Sequence, residues 1–375
     1  MSTEDLSGSI AGSRAALTPT AEAEATHNNF TPLRLALALL VVFGHFKLLS
    51  GTVQPAFPFN LADAAVYSFF VVSGFLIAGS YERSSTLRGY LFRRVFRLYP
   101  MYACVVLAQA VLLAIASTQV NGFGATVAPA LRYLGVNLVF ANFLQYDVGG
   151  VLDHLRVPGL NPSLWTLKIE IGFYFVAPFI CEAKRRWGWP VLAVLFFASV
   201  VYAVGFGHFG EVRLAKQLPG QLQFFIVGMA LHYYGARWRP GFAVALVVAV
   251  SFLVVWTFVP QPPPLVLPLM VGLFVAAVAL WSPPLGIGLD ISYSVYLLHG
   301  PVLQTLLWQH WFVDSAWLLA SVVTGVIAVS LVTEQLIERP GTALGRRLSR
   351  RAPRLAMPTT KIAGSSKMAG NSKAA

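Results

Sequence analysis

Charge is what this sequence has least of. Only 11% of its 375 residues are Asp, Glu, Lys or Arg, whereas 57% are hydrophobic, and the mean hydropathy is +0.67. Ordinary soluble domains, with about a quarter of their residues charged, come nowhere near that balance. Acidic residues are scarcer still, 15 against 27 Lys and Arg, for a net charge of +12. Such an excess suits a nucleic-acid surface when it forms one accessible patch. Here the basic residues are dispersed between apolar stretches, so nucleic acid is not expected as a partner. Cysteine is almost missing: Cys104 and Cys181 both lie inside apolar segments without a metal-type or redox-type neighbour. That makes disulfides, zinc and thiol catalysis poor readings, and no metal is expected. Residues 1–27, rich in Ala, Ser, Thr and Glu, lack the apolar run of a signal peptide. They read as a disordered cytoplasmic segment, with the first span serving as its own insertion signal.

What the chain does have is apolar length. Stretches able to cross a hydrocarbon layer of about 30 Å occur near 31–50, 64–81, 95–118, 164–182, 190–206, 218–235, 241–259, 264–281, 290–309 and 316–338. The sequence therefore predicts an all-α polytopic membrane protein of about ten transmembrane helices. A further stretch, 127–146, is broken by Pro129, Gly135, Asn137 and Asn142 and reads as interfacial or re-entrant. Cytoplasmic loops collect Lys and Arg, and ten spans with both termini cytoplasmic place 21 of the 27 on that side. An eleventh span would separate the termini. Neither an internal repeat nor an appended soluble domain is visible. The expected organisation is a disordered segment 1–27, a membrane domain 28–341, and a basic, disordered cytoplasmic tail 342–375 attracted to anionic lipid.

A few polar residues interrupt the spans. Arg34 and His45 stand eleven positions apart in the first. At about 100° and 1.5 Å per residue they share one face, some 16 Å apart along the axis. A histidine so deep is either a functional group or a neutral imidazole hydrogen-bonded between packed helices. In the second span Ser73, Gly74 and Gly79 are small residues that let helices approach closely. Arg94 and Arg97, three apart where the third span begins, suit either a phosphate grip or an ordinary positive-inside anchor. At the fourth span Ser163 is placed to cap the helix at the outer surface. Glu170 follows on the same face about 10 Å below, a position expensive toward lipid and sensible toward a polar chamber. Trp165 suits an interfacial aromatic and Lys168 a snorkelling side chain. In the ninth span His299 lies about 13 Å from Asp290, a depth comparable with His45. Gly300 and Pro301 beside it predict a kink that frees backbone carbonyls. Glu334 and Glu338 share a face near the end of the tenth and suit partnership with cytoplasmic-side arginines. His208 and His232 are assigned no chemistry.

Taken together, Arg34 and His45, the run FFVVSGFLI in the second span and RRVFRLYP entering the third resemble the opening of the acyltransferase 3 family of membrane-bound O-acyltransferases. The signatures of that family include an Arg and a His separated by ten residues and an Arg-x-x-Arg pair. Later elements are similar as well. SLWTLKIE resembles its Ser-Leu-Trp-Ser-Leu-x-x-Glu element, with Thr166 in place of the second serine, and ISYSVYLLH and IERP resemble its two closing elements. The resemblance covers roughly 28–341. It implies transfer of an acyl group, usually acetyl from cytoplasmic acetyl-CoA, to a hydroxyl of a surface or secreted polysaccharide or its lipid-linked precursor, at the cytoplasmic (inner) membrane. Under it His45 is the base, grouped with Arg34, Glu170 and His299. Arg34, Arg94 and Arg97 hold the CoA phosphates, and Ser163, Trp165, Glu170 and Tyr296 face the acceptor. Direct transfer and a transient acyl-histidine both stay open. The competing readings are O-acylation of a lipo-oligosaccharide or small secondary metabolite, and a proton-coupled transporter. Transporters commonly show matching inverted repeats with broken helices, and no such repeat is visible here.

Overall fold

The protein was analysed as a computed structural model, which describes residues 28–51, 56–235, 238–259 and 262–351. The terminal segments expected to be disordered, 1–27 and the tail beyond 351, lie outside the described residues. The chain runs through α1 (Phe30–Leu49), a 3₁₀ turn (Phe59–Leu61), α2 (Ala62–Glu82), α3 (Leu87–Asn121), α4 (Phe123–Leu138), α5 (Leu164–Trp187) and α6 (Pro190–His208). A single turn, α7 (Val212–Ala215), precedes α8 (Leu218–Ala230), α9 (Phe242–Phe258), α10 (Val266–Ala276), α11 (Ser292–Trp308), α12 (Ala316–Thr333) and α13 (Arg339–Arg351). π-helical turns extend α8 over Leu231–Gly235 and α10 over Ala277–Trp281, and one over Glu334–Glu338 joins α12 to α13. No strand occurs among the described residues. Six helical segments are long and apolar enough to cross a membrane: Phe30–Leu49, Phe59–Glu82, Leu87–Asn121, Leu164–Trp187, Pro190–His208 and Ala316–Arg350.

Local chemistry sets several boundaries. Thr86 caps α3 by accepting from the Gly89 amide at 3.0 Å, and Ser315 caps α12 by accepting from Leu318 at 3.2 Å. Gly122, at φ 79°, stops α3 in a conformation that other residues rarely adopt. The 127–146 stretch contains a regular helix, α4, which passes through Pro129 and folds back on α3. Its polar residues are used there. Tyr133 donates to the Gln109 side chain at 2.9 Å, and the Asn137 carbonyl accepts from Tyr102 at 2.6 Å.

The inner helices are α1, α2, α5, α8 and α11, while α6, α9 and α12 turn valines and leucines outward. Helix α2 is the hub, packed against α1, α5, α8 and α10. Where it meets α8, a Cβ on Gly74 would fall 2.0 Å from the Phe225 carbonyl oxygen, and one on Gly228 2.0 Å from that of Val71. Of the small residues of this span Gly74 does let two backbones touch, while Gly79 faces the His232 and Arg83 side chains.

One expectation needs correction. Residues 342–351, assigned to the disordered tail, are helical. Helix α13 rests on α3, with Arg93 donating to the Ser349 hydroxyl at 2.5 Å. Helix α11 is continuous through Pro301, and the backbone carbonyl expected to be freed there is present. The proline nitrogen cannot bond to the carbonyl four residues earlier, that of Leu297, and Asn161 Nδ2 donates to it instead at 3.0 Å.

The α2–α8 contact yields a stability prediction. Alanine gains about 1 kcal/mol over glycine in a helix interior, but overpacking typically costs about 1–3 kcal/mol. Gly228→Ala should therefore lower the unfolding temperature of purified protein. Gly325→Ala, where an added Cβ meets nothing within 4 Å, should leave it unchanged or raise it. Unchanged melting in Gly228→Ala would contradict the backbone contact.

Candidate functional site

Polar side chains gather in two centres, and a small cavity lined by residues of the first comes close to the second. The first is built on a carboxylate. Asp290, just ahead of α11, accepts from Arg34 in the first turns of α1 and from Arg97 of α3, the latter at 3.1 Å, through the same oxygen. Its other oxygen accepts from the Ser292 hydroxyl at 2.6 Å. Three segments distant in sequence are thereby tied at one point. Arg94 is differently placed. Its guanidinium donates to the Leu76 carbonyl at 3.3 Å and lies 5.7 Å from the Tyr174 ring centroid. No carboxylate among the described residues lies within ion-pairing distance of it, and its Nε is buried without a partner. Beside it Tyr174 donates to Glu170 at 2.8 Å, and Tyr90 donates to the Tyr174 carbonyl at 3.0 Å.

The second centre joins His45 on α1, His299 on α11 and Ser163 at the entrance to α5. His45 Nδ1 lies 2.8 Å from His299 Nε2, with the rings stacked at 5.1 Å. The hydrogen-bond pattern assigns the tautomers. His299 Nδ1 is 3.1 Å from the Val295 carbonyl, which can only accept, so that nitrogen carries the hydrogen and Nε2 of the neutral ring is an acceptor. Nδ1–H of His45 therefore donates to it, and His45 Nε2 keeps its lone pair. His299 is 0% exposed, whereas His45 is half-buried and is the ring with access to a reactant. The Ser163 hydroxyl lies 3.3 Å from His299 Nε2. Next to it Thr166 donates to the Ser163 carbonyl at 2.9 Å and its oxygen lies 2.7 Å from the Tyr296 hydroxyl, which donates to it.

That cavity, of about 50 Å³, is lined by Arg34, Phe69, Phe70, Ser73, Thr166, Glu170, Tyr293 and Tyr296 among others. One end is the Arg34 centre; the other is Tyr296, whose ring lies 6.0 Å from that of His299.

Most of the residues expected to act together are brought together, with corrections. Ser163 is no surface cap: it makes no side-chain capping bond, is 0% exposed and faces His299. Trp165 has the Lys216 ammonium 5.9 Å from its ring and does not line the cavity beside Arg34. Of the two glutamates, Glu334 pairs with Arg339 at 2.6 Å, while Glu338 accepts from the Ser294 hydroxyl rather than from an arginine. The sequence reading missed Asp290 as a partner and Asn161 altogether. A lone aspartate heading an apolar span, opposite two unexplained arginines, was the available signal for the first. Among the described residues no three His, Cys, Asp or Glu side chains gather as a metal ion requires.

Comparison with known proteins identifies the family. Residues 29–335 match a family described as an acyltransferase domain. "Nodulation protein 10" of Rhizobium leguminosarum bv. viciae is 28% identical over 360 residues, covering 86% of this chain and 96% of the relative. "O-acetyl transferase" of Shigella phage Sf6 is 25% identical over 341 residues, covering 88% and 98%. No solved structure matches.

Asp290→Asn keeps the shape of the carboxylate but leaves two guanidiniums facing one another. With 27% of the Asp290 side chain exposed, the loss should be smaller than that of a fully buried pair, about 1–3 kcal/mol. In chemical denaturation the double variant Arg34→Gln/Asp290→Asn should lose less than the sum of the single variants. Strict additivity would mean that the carboxylate does not couple to Arg34.

Proposed function

The chain belongs to the acyltransferase 3 family and is a membrane O-acyltransferase; from that premise we propose that it moves an acyl group, in the first instance acetyl, from cytoplasmic acyl-CoA to a hydroxyl of a surface or secreted polysaccharide or its lipid-linked precursor. The observation that carries the reading is the free lone pair on His45 Nε2, enforced by the chain from His45 to His299 to the Val295 carbonyl. Acyl transfer to an alcohol needs a base for the hydroxyl proton and a donor for the developing oxyanion. His45 takes the proton as the alcohol oxygen attacks the thioester carbonyl. The C–S bond then breaks, and the proton passes to the departing thiolate. His299 touches neither reactant; it accepts the Nδ1–H bond of His45 throughout and holds the ring in the productive tautomer. Ser163, held at only 3.3 Å from His299, is the hydroxyl able to turn toward the oxyanion.

On the donor side Arg94 ranks first as a phosphate ligand, because Arg34 and Arg97 already share Asp290. The roughly 16 Å between Arg34 and His45 suits the length of a pantetheine arm. A cavity of about 50 Å³ admits only a few waters, so the arm passes when rings such as Phe69 and Tyr296 swing aside.

The same reading has ten spans, adding α8 to α11 to the six long segments and leaving α4 out, with both termini cytoplasmic. Pairing between α1 and α11 supports this count. Arg34 meets Asp290 at one end, and eleven residues later His45 meets His299 at the other. Contacts in that order require parallel helices. First and ninth spans run parallel; counting α4 would make α11 the tenth and reverse it.

His45→Asn should lower transfer of labelled acetyl from acetyl-CoA to envelope glycan by a factor on the order of 10² to 10⁴, with stability changed by no more than about 1–2 kcal/mol. Stable His45→Asn protein with near wild-type transfer would overturn the assignment. Arg94→Lys keeps the charge but loses the planar fork, so activity should fall at unchanged abundance; full activity would return Arg94 to an anchoring role. A reporter active only outside the cytoplasm should work near Asn121 or Pro158 and stay silent after Lys373. Activity at the last position would sink the ten-span count.

A further inference from the structure

A second cavity, of about 460 Å³, opens beside the entrance to α5. That volume falls within the roughly 300–1,000 Å³ of small-ligand sites. Its floor adjoins the histidine pair. Asn161 and Pro162 pack on Gly300, where an added Cβ would meet Asn161 Oδ1 at 2.7 Å and Pro162 Cδ at 3.1 Å. His299 is the preceding residue, and Ser163, which follows Pro162, faces it.

The walls of this cavity are aromatic and cationic. Phe143 and Trp165 supply ring faces, and Lys168 and Arg213 supply charge. Lys168 lies about one turn into α5, only partly exposed, with its ammonium 5.1 Å from the Phe143 ring centroid. Among the described residues no carboxylate lies within ion-pairing distance of Lys168 or Arg213, although Asp63 approaches the nearby Lys216 at 3.7 Å. On the loop beside this cavity Asp147 accepts from the Val148 and Leu152 amides, and neither it nor the exposed Asp153 lines the cavity. The cavity thus carries two positive charges without an internal counter-charge. An ammonium held within an apolar helix is expensive unless an anion or water reaches it.

We propose that this cavity is the acceptor subsite and that it selects a saccharide bearing an anionic group, held between Lys168 and Arg213 with a sugar face against Trp165. Its floor then delivers a neighbouring hydroxyl toward His45. The anion comes either from a sugar acid in the glycan or from the pyrophosphate of a lipid-linked precursor; both present oxygens to the same cations. The delivery step rests on the acyltransfer reading above, whereas binding does not.

The test uses the full chain in lipid nanodiscs and reads affinity by calorimetry, separately from transfer. Three probes are compared: a glucuronate-ended oligosaccharide, the same oligosaccharide with the carboxylate reduced to an alcohol, and a short-chain polyprenyl pyrophosphoryl disaccharide. At least one anionic probe should bind about tenfold or more tightly than the neutral one, as a charged hydrogen bond allows. The glucuronate probe winning identifies a sugar acid, and the pyrophosphate probe a lipid-linked acceptor. Lys168→Gln and Arg213→Gln should each abolish most of that preference at unchanged melting temperature. Lys168→Arg should keep it, and His45→Asn should bind normally while failing in transfer. Equal affinity for all three probes, no binding of either anionic probe, or undiminished preference in both glutamine variants would overturn the proposal and leave Lys168 a snorkelling side chain. Intact binding with intact transfer in His45→Asn would instead strike at the base assignment alone.

Discussion

A polar side chain inside a hydrocarbon layer has no bulk water to turn to, so the partners it finds within the protein decide which helices meet. In this chain those partnerships converge on α11 and the residues that lead into it. Asp290 binds Arg34 and Arg97, His299 binds His45, and the Leu297 carbonyl released by Pro301 binds Asn161. Helix α11 therefore acts as a post to which α1, α3 and the start of α5 are each fastened by a polar contact. The apolar packing around it is dense but weakly directional, since lipid is as good a neighbour for Leu as another Leu is. Register along the post comes from the polar ties. Close α2–α8 backbone contact then fixes the hub from the opposite direction.

How much of this could be read beforehand depends on whether the relevant physics is local. Arg34 and His45 lie on one helix, so their common face followed from helical geometry alone. The comparable depth of His299 followed in the same way. Small residues in the second span pointed to close packing because a missing side chain is itself a local property. Ser163 shows where such reasoning stops. A serine ahead of an apolar run looks like a cap, but its partner is His299, 136 residues further on, and nothing local distinguishes the two. Asp290 was equally hidden, because a bridge between two arginines on different helices has no periodic signature. The amphipathic end of the chain erred in the other direction. TALGRRLSRR, residues 342–351, reads as the start of a solvated tail, yet Gly345, with Gly341 just ahead of it, packs on Phe96 and Pro100 of α3 and allows a helix to sit there.

The α4 region and the loop after it make a related point about polar residues in apolar stretches. Pro129, Gly135, Asn137 and Asn142 broke the 127–146 stretch enough to argue against a full span. In the structure the amide nitrogens of this segment bond to its own backbone: Asn137 donates to the Tyr133 and Gln145 carbonyls, and Gln145 to those of Pro129 and Asp147. They build a self-contained shelf beside the entrance to α5. The outer cavity is formed against that shelf, which gives the polarity of the segment a use that a simple anchor would not need.

The two cavities share the first turns of α5. Asn161, Pro162, Leu164 and Trp165 line the outer one, and Thr166, Leu167 and Glu170 line the inner one. Ser163 stands at the changeover, fully buried, with its hydroxyl on the histidine pair. On the proposed reading a thioester arrives through the inner cavity and an alcohol through the outer, and the two meet at that partition beside the histidine pair. The separation has a chemical consequence. Water entering from the outer side would compete with the alcohol for the thioester carbonyl, since both are oxygen nucleophiles that the same base can activate. Filling the partition with Ser163, Thr166 and Tyr296, whose polar groups bond to one another and to the His299 side, leaves little to recruit such a water. On that reading the polar contacts that tie α1, α5 and α11 together also favour the alcohol over water at the reacting carbonyl.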